Sequence, residues 1–413
     1  MSTLREDAKY IYTRAIEAVL PDEAVRRALA GQNFPGRVIL VAAGKAAWRM
    51  ASAAKAALGD RIETGIVITK YGHVQGPVPG ILCREAGHPV PDENSFSATR
   101  EALSLTENLT ADDTVLFLLS GGGSALFESP LVPDAELQDI TAQLLACGAD
   151  IVEINRIRKR LSAVKGGRFA QHCAPASVFA VILSDIVGDP VDMIASGPVS
   201  PDSSTCADAL AVAEKYALRL SDRAQELLTC ETPKTADNVM VRITGSVREL
   251  CAAAATACRE RGYAPEILTD CEQGVAREVG ARLGALAREN AAANTPRAFI
   301  LGGETVVRLT GNGKGGRNQE LALAAAAEIA NLPNAVVFSV GSDGTDGPTD
   351  AAGGICDGET AVRLDAAGYP IQRALEENNA YHALKLADAL LITGPTGTNV
   401  NDVAVALCAD AAK

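Results

Sequence analysis

The stretch Arg37–Val38–Ile39–Leu40–Val41–Ala42–Ala43–Gly44–Lys45 is an almost unbroken apolar run ending in a glycine and a lysine, and an alanine-rich stretch follows it to Leu58. Apolar character without alternation is expected of a strand buried on both faces, as in a parallel sheet. The alanines beyond it read as a helix. The same order recurs along the first half. Ile66–Thr69 reads as a second strand, Val115–Leu119 as a third that ends in Ser120–Gly121–Gly122–Gly123–Ser124, and Val178–Leu183 as a fourth that ends in Ser184–Asp185. Helical patterns at 95–108, 134–147 and 155–171 lie between them. Strand, glycine-bearing loop and helix in repetition predict a doubly wound α/β/α domain of Rossmann type.

The chain opens with Leu4, Ala8, Ile11, Ala15, Ile16 and Val19 at helical spacing. Residues 231–237 (ETPKTAD) form the best linker, which divides the chain into 1–236 and 237–413. New strands are expected at 239–243, 266–268, 299–301, 306–309, 336–340 and 390–393. Helices are expected at 247–261, 274–293, 319–330 and 360–367. The second half therefore reads as a separate α/β domain, without internal repeats.

Bulk properties narrow the function. At 413 residues two domains are the prior, and 47% hydrophobic with 22% charged residues suits a soluble globular enzyme. A net charge of −13 argues against nucleic acid or an anionic membrane as partner. Ten cysteines occur without metal-type spacing, only four histidines are present, and no apolar run reaches membrane-spanning length. Reduced thiols in a cytoplasm are the expected setting.

Every polar cluster of interest falls at the carboxyl end of an expected strand, where open α/β sheets bind ligands. Lys45 stands beside a helix start, the unfavourable end of the dipole for a cation, which suggests that an anion completes it. Ser120–Ser124 offers amides and hydroxyls, but Gly122-Gly123-Ser124-Ala125-Leu126 lacks the closing glycine of a nucleophile elbow. His88 reads as a loop residue between prolines. Lys159, Lys165 and Arg168 read most simply as a solvated basic face. In 305–320 the glycines Gly311, Gly313, Gly315 and Gly316 carry Lys314 and Arg317 into a helix, a pattern suited to a phosphate or carboxylate. Gly311-x-Gly313-x-x-Gly316 also matches the dinucleotide fingerprint, but no carboxylate follows about 20 residues on. Asp343, Asp346 and Asp350 could hold Mg²⁺ or act as a base, and Asp185, Asp189 and Asp192 form a second acidic cluster; turn chemistry explains either set equally well.

Taken together, Gly44–Lys45–Ala46, GHPVPDENS (87–95), LSGGGSAL (119–126), NRIRKRLSAVKGGR (155–168), SDIVGDPVDMIASGP (184–198), GGET (302–305), GKGGRNQE (313–320), GSDGTDGPTDAAG (341–353) and TGPTGTNVND (393–402) resemble the class II glycerate kinases. The resemblance spans nearly the whole chain. It implies an N-terminal α/β/α domain, a C-terminal α/β domain containing the MOFRL region (about 296–403), and an active site in the cleft between them. It implies ATP-dependent phosphorylation of D-glycerate, mainly at the 2-hydroxyl, with Mg²⁺. Lys45 and Arg317 carry over as the catalytic, phosphate-binding cations, joined by Asp189 and Asp343 as acidic candidates. Expected substrate- and nucleotide-binding positions are Gly44, Ser120, Gly121, Gly122, Gly123, Ser124, Lys165, Glu304, Lys314, Gly315, Gly316 and Asn399, with Asp343 and Asp346 as metal ligands. The usual Thr before the first aspartate of the GTDG motif is Ser342 here, which keeps the hydroxyl. Members of the family are also labelled hydroxypyruvate reductase, so an NAD(P)H-dependent reductase is the alternative. The expected partners are D-glycerate and ATP, with no nucleic acid or membrane and with room for a homo-oligomer.

Overall fold

The computed structural model describes residues 2–410 except 185, 187, 189 and 294. The chain forms two compact units. The first contains six strands, β1 (Val38–Ala43), β2 (Ile62–Lys70), β3 (Ile81–Ala86), β4 (Thr114–Leu119), β5 (Ser177–Ile182) and β6 (Val239–Ile243). They pair in parallel throughout, in the order β3-β2-β1-β4-β5-β6. This is the doubly wound order whose direction reverses between β1 and β4. Every residue of β1 and β4 is buried, the physical counterpart of their unbroken apolar sequence. Phe117 on β4 packs with Phe127 and Phe169 at ring-centroid distances of 5.4 and 5.0 Å, which anchors the chain leaving the Ser120–Ser124 loop.

The second unit holds β7 (Ala264–Glu272), β8 (Arg297–Gly303), β9 (Ala335–Gly341), β10 (Gly353–Asp357), β11 (Leu390–Leu391) and β12 (Asp402–Cys408). Their order is β11-β10-β9-β12-β8-β7. Only β7 and β8 pair in parallel, so this sheet is mixed. Among the described residues no helix is long and apolar enough to cross a membrane.

Several expectations are corrected. The division at 236/237 falls one strand early, because β6 joins the first sheet through β5 and the first unit runs to Thr244. The polar run at 231–237 is a pinned loop: Thr232 donates to Asp202 at 2.7 Å, and Lys234 Nζ to the Ser204 carbonyl at 2.6 Å. The opening helix, Ser2–Ala18, belongs to the second unit, where Leu4, Ala8, Ile11 and Ala15 enter its core and Tyr12 meets Phe338 edge-on at 5.8 Å. Periodicity establishes that helix but not the sheet it covers. The expected strand at 306–309 is an extended loop, paired only at Val306 with Val275. The expected helix at 155–171 breaks into Ile151–Arg160 and Arg168–Cys173. The chain between them turns aside to pair, with Leu131 N–H donating to the Leu161 carbonyl and Ala163 N–H to the Ser129 carbonyl, both at 2.8 Å.

Candidate functional site

In the first unit the loops after β1 and β4 meet at the reversal of strand order. Lys45 N–H donates to the Gly121 carbonyl at 2.9 Å, and Ser120 Oγ accepts from Ala46 N–H at 3.0 Å. Gly44 adopts φ +123°, and a Cβ there would stand 2.2 Å from Ser120 Oγ, so this junction admits glycine alone. Gly122 (φ +88°) opens the short helix Gly123–Leu126. A Cβ on Gly122 would lie 3.1 Å from His88 Nε2 and 3.2 Å from Lys45 Cγ. Lys45 and His88 therefore flank the glycine loop. The Lys45 ammonium has no hydrogen-bond or ion-pair partner among the described residues. Its backbone carbonyl is held by His73 Nδ1 at 3.0 Å. Burial, and then the nearby Lys45, Lys70 and His73, lower the His88 pKa.

Lys165 behaves differently from the expectation. Its side chain is fully buried, with Nζ donating to the carbonyls of Ser124 and Phe127 at 3.0 Å each and lying 3.4 Å from Glu128. Burial lowers its pKa to about 8 against the pull of Glu128. All three ammonium hydrogens are engaged inside the protein, so Lys165 braces the Ser120–Ser124 loop and offers no charge to a ligand. Lys159 is also buried, against Asp202 at 3.1 Å, and Arg168 Nη1 donates to the Ser162 carbonyl at 2.7 Å. The solvated basic face does not exist.

In the second unit Arg317 is the first residue of the helix Arg317–Glu328. Its fork is gripped from two sides. Nε donates to Asp402 Oδ2 at 2.5 Å, Nη2 to Asp402 Oδ1 at 3.1 Å, and Nη1 to Glu304 Oε1 at 2.9 Å. Burial opposes the Arg317 charge, yet the two carboxylates hold its pKa above the ordinary value. Burial pushes Asp402 up to about 6, with the Arg317 fork pulling the other way. Asp402 begins β12, a strand that sequence periodicity missed, and no site role was read for it.

Asp343 lies in the loop after β9. Its Oδ1 accepts from Thr345 N–H at 2.9 Å, and its other oxygen has no partner among the described residues. A Cβ placed on Gly341 would be 3.4 Å from both Asp343 Oδ1 and Asp402 Oδ1, so the two carboxylates converge there. Asp346 is used otherwise. It is buried, and its oxygens accept from the amides of Asn318 at 3.2 Å and Gln319 at 2.9 Å and from Gln319 Nε2 at 3.0 Å. Burial raises its pKa against those donors. The helix start expected to hold a ligand anion thus holds the protein's own carboxylate. Asp346 has no oxygen to spare for a metal, and among the described residues no cluster of three or more His, Cys, Asp or Glu could hold one.

Lys314 is exposed, its ammonium 4.7 Å from the centre of the Tyr381 ring, and Asn399 is exposed on the loop before β12. A cavity of about 780 Å³ opens beside Arg317, reached by Glu304, Val306, Leu309, Gly315 and Pro348. Asp185 and Asp189 lie outside the described residues.

The comparisons with known proteins point mostly to glycerate kinases, while two relatives from Agrobacterium vitis, each 37% identical, carry the name putative hydroxypyruvate reductase. A domain of unknown function, DUF4147, matches residues 7–229, and the MOFRL family matches residues 297–402. The chain is similar to D-glycerate 2-kinase of Thermotoga maritima, 51% identical over 98% of both chains. The chain belongs to the glycerate kinase family. A glycerate 2-kinase of Pyrococcus horikoshii, another member, is 38% identical over 98% of this chain and 97% of its own. The crystal structure of a glycerate kinase from Thermotoga maritima matches with a TM-score of 0.95 at 50% identity, covering 99% of this chain and all of that one. Within this glycerate kinase fold, Lys45 and Arg317 each mark the polar end of one sheet.

Proposed function

We propose that the protein transfers the γ-phosphoryl group of ATP to the 2-hydroxyl of D-glycerate, giving 2-phospho-D-glycerate. The observation that carries this reading is the contrast between two cations. Lys45, at the point where the strand order reverses, has an ammonium with no partner among the described residues, and Arg317 has a guanidinium fixed by Asp402 and Glu304. Phosphoryl transfer asks little covalent chemistry of a protein and much positioning of positive charge. In this reading each cation binds phosphate oxygens of the reactants. Gly44 and Ser120–Ser124 then serve beside Lys45, and Gly315 and Gly316, which line the cavity beside Arg317, serve there with Lys314. The substrate hydroxyl gives its proton to a carboxylate, with Asp343 and Asp189 as the candidates.

Mg²⁺ on the nucleotide phosphates would neutralise their charge. It uses one or two carboxylates together with phosphate oxygens, a demand that Asp343, with one oxygen unpartnered among the described residues, fits and Asp346 does not. The reductase alternative loses support from the same geometry: Gly311–Gly316 follows an irregular segment, and Asp346 fills the helix start where a pyrophosphate would sit. Purified protein should release ADP from ATP and Mg²⁺ when D-glycerate is added. NADH oxidation with hydroxypyruvate, and no ADP release, would reverse the assignment.

A further inference from the structure

The cavity beside Arg317 has an apolar wall that folding leaves in solvent. Val306 is 54% exposed and Leu309 79% exposed. Their backbone is pinned on both sides, so they do not simply stray outward. Val306 N–H donates to the Gly274 carbonyl at 3.0 Å. Beyond Leu309, Thr310 and Gly311 N–H donate to Asn378 Oδ1 at 2.6 and 2.7 Å. Asn378 is itself buried and spends its amide hydrogens on the Arg308 carbonyl and on Glu320, at 3.0 and 3.1 Å. A buried asparagine that bonds this loop at three backbone groups holds two large aliphatic side chains toward water. Pro348 and Arg317 also line the cavity.

A cavity of about 780 Å³ lies within the usual range for small-molecule sites. An apolar wall continuous with a fixed cation suits a ligand with an apolar ring system at one end and anionic oxygens at the other. Of the two substrates in the proposed reaction, on which this inference rests, glycerate is polar on every face, and only the nucleotide has such a ring. We infer that the nucleotide's base lies against Val306 and Leu309, with its phosphates directed to Arg317. The second unit is then the nucleotide-holding unit, and the glycine loop beside Lys45 is left for the acceptor.

Calorimetric titration of the full chain with ADP, without glycerate, tests this apart from turnover. Leu309→Ser and Val306→Ser alter exposed side chains and keep the backbone bonds. Each should weaken ADP binding by about tenfold or more, the scale of removing apolar contacts from a ligand pocket. Pyrophosphate, which has no base, should bind both variants as it binds the unmodified protein, and KM for D-glycerate should not move. ADP binding within about twofold of the unmodified protein in both variants, equal weakening of ADP and pyrophosphate, or no ADP binding to the unmodified protein would overturn the inference. Selective loss of ADP binding with no glycerate phosphorylation would leave the nucleotide slot standing and refute the kinase reading.

Discussion

Asp402→Asn perturbs the site at the contact that fixes Arg317. The carboxylate accepts from Nε at 2.5 Å and from Nη2 at 3.1 Å, and asparagine can accept through one oxygen only. Its amide would present N–H to a guanidinium N–H, so one charge-assisted bond is lost and a donor faces a donor. Breaking a buried pair by removing one partner costs about 3–5 kcal/mol. The Arg317 side chain is 33% exposed and keeps Glu304, so the expected loss of stability is smaller, about 2 kcal/mol. The catalytic loss should be larger in proportion: a misplacement of about 1 Å in a positioned group costs on the order of 10²-fold in rate. Urea unfolding and coupled measurement of ADP release give the two numbers, and kcat should fall while KM for D-glycerate changes little.

The pH dependence sharpens this test. Asp402 has a folded pKa raised to about 6, above the value of about 3.9 for an unfolded aspartate. Between those values the folded state binds more protons, so this group's contribution to stability is full at the acid end and is lost as pH rises through about 6. Activity runs the opposite way, because a protonated Asp402 cannot pair with the Arg317 fork. Subtracting the Asp402→Asn stability profile from that of the unmodified protein isolates the first effect, and the acid limb of kcat isolates the second. An Asp402→Asn enzyme with unmodified kcat and an unmoved acid limb would refute the idea that Asp402 positions Arg317.

Arg317→Ala should lower kcat by about 10³-fold or more, the scale of other arginines acting on phosphoryl transfer, as measured by ADP release at saturating substrates. Lys165→Met should destabilise the protein by about 3 kcal/mol in urea unfolding, because it orphans buried Glu128 and two loop carbonyls. Because burial lowers the Lys165 pKa to about 8, the unmodified protein should gain stability from this group as pH rises from about 8 toward 10.4, and the variant should not. Gly44→Ala should cost about 2 kcal/mol or more, since a Cβ at φ +123° would collide with Ser120 Oγ; the loss should appear as a lower thermal midpoint together with weakened turnover.

How far the sequence carried these conclusions depends on the kind of signal. β1 and β4 were legible because unbroken apolar runs buried on both faces leave no competing pattern, and their glycine-bearing exits located Gly44, Lys45 and Ser120–Ser124. β12 (Asp402–Cys408) is apolar beyond Asp402 but follows a run of Thr, Gly and Asn that reads as loop to the end, and with it went the partner of Arg317. β10 begins with two glycines, which weaken any strand signal. Val306, Val307 and Leu309 carry strand-forming side chains, yet Asn378, distant in sequence, holds that loop from outside, a tertiary effect that no local window contains. Lys165 shows the limit most plainly. Its neighbours Lys159 and Arg168 suggested a solvated face, whereas the carbonyls of Ser124 and Phe127 that draw its ammonium inward belong to another loop.

Phosphorylation at the 2-hydroxyl of D-glycerate, as proposed for this member of the glycerate kinase family, has a direct readout. Incubation with ATP, Mg²⁺ and D-glycerate, followed by coupling to enolase without a mutase, reads the product directly. Enolase turnover should begin at once, because 2-phosphoglycerate is enolase's substrate. ADP release without an enolase signal until a mutase is added would show 3-phosphoglycerate and contradict the proposal.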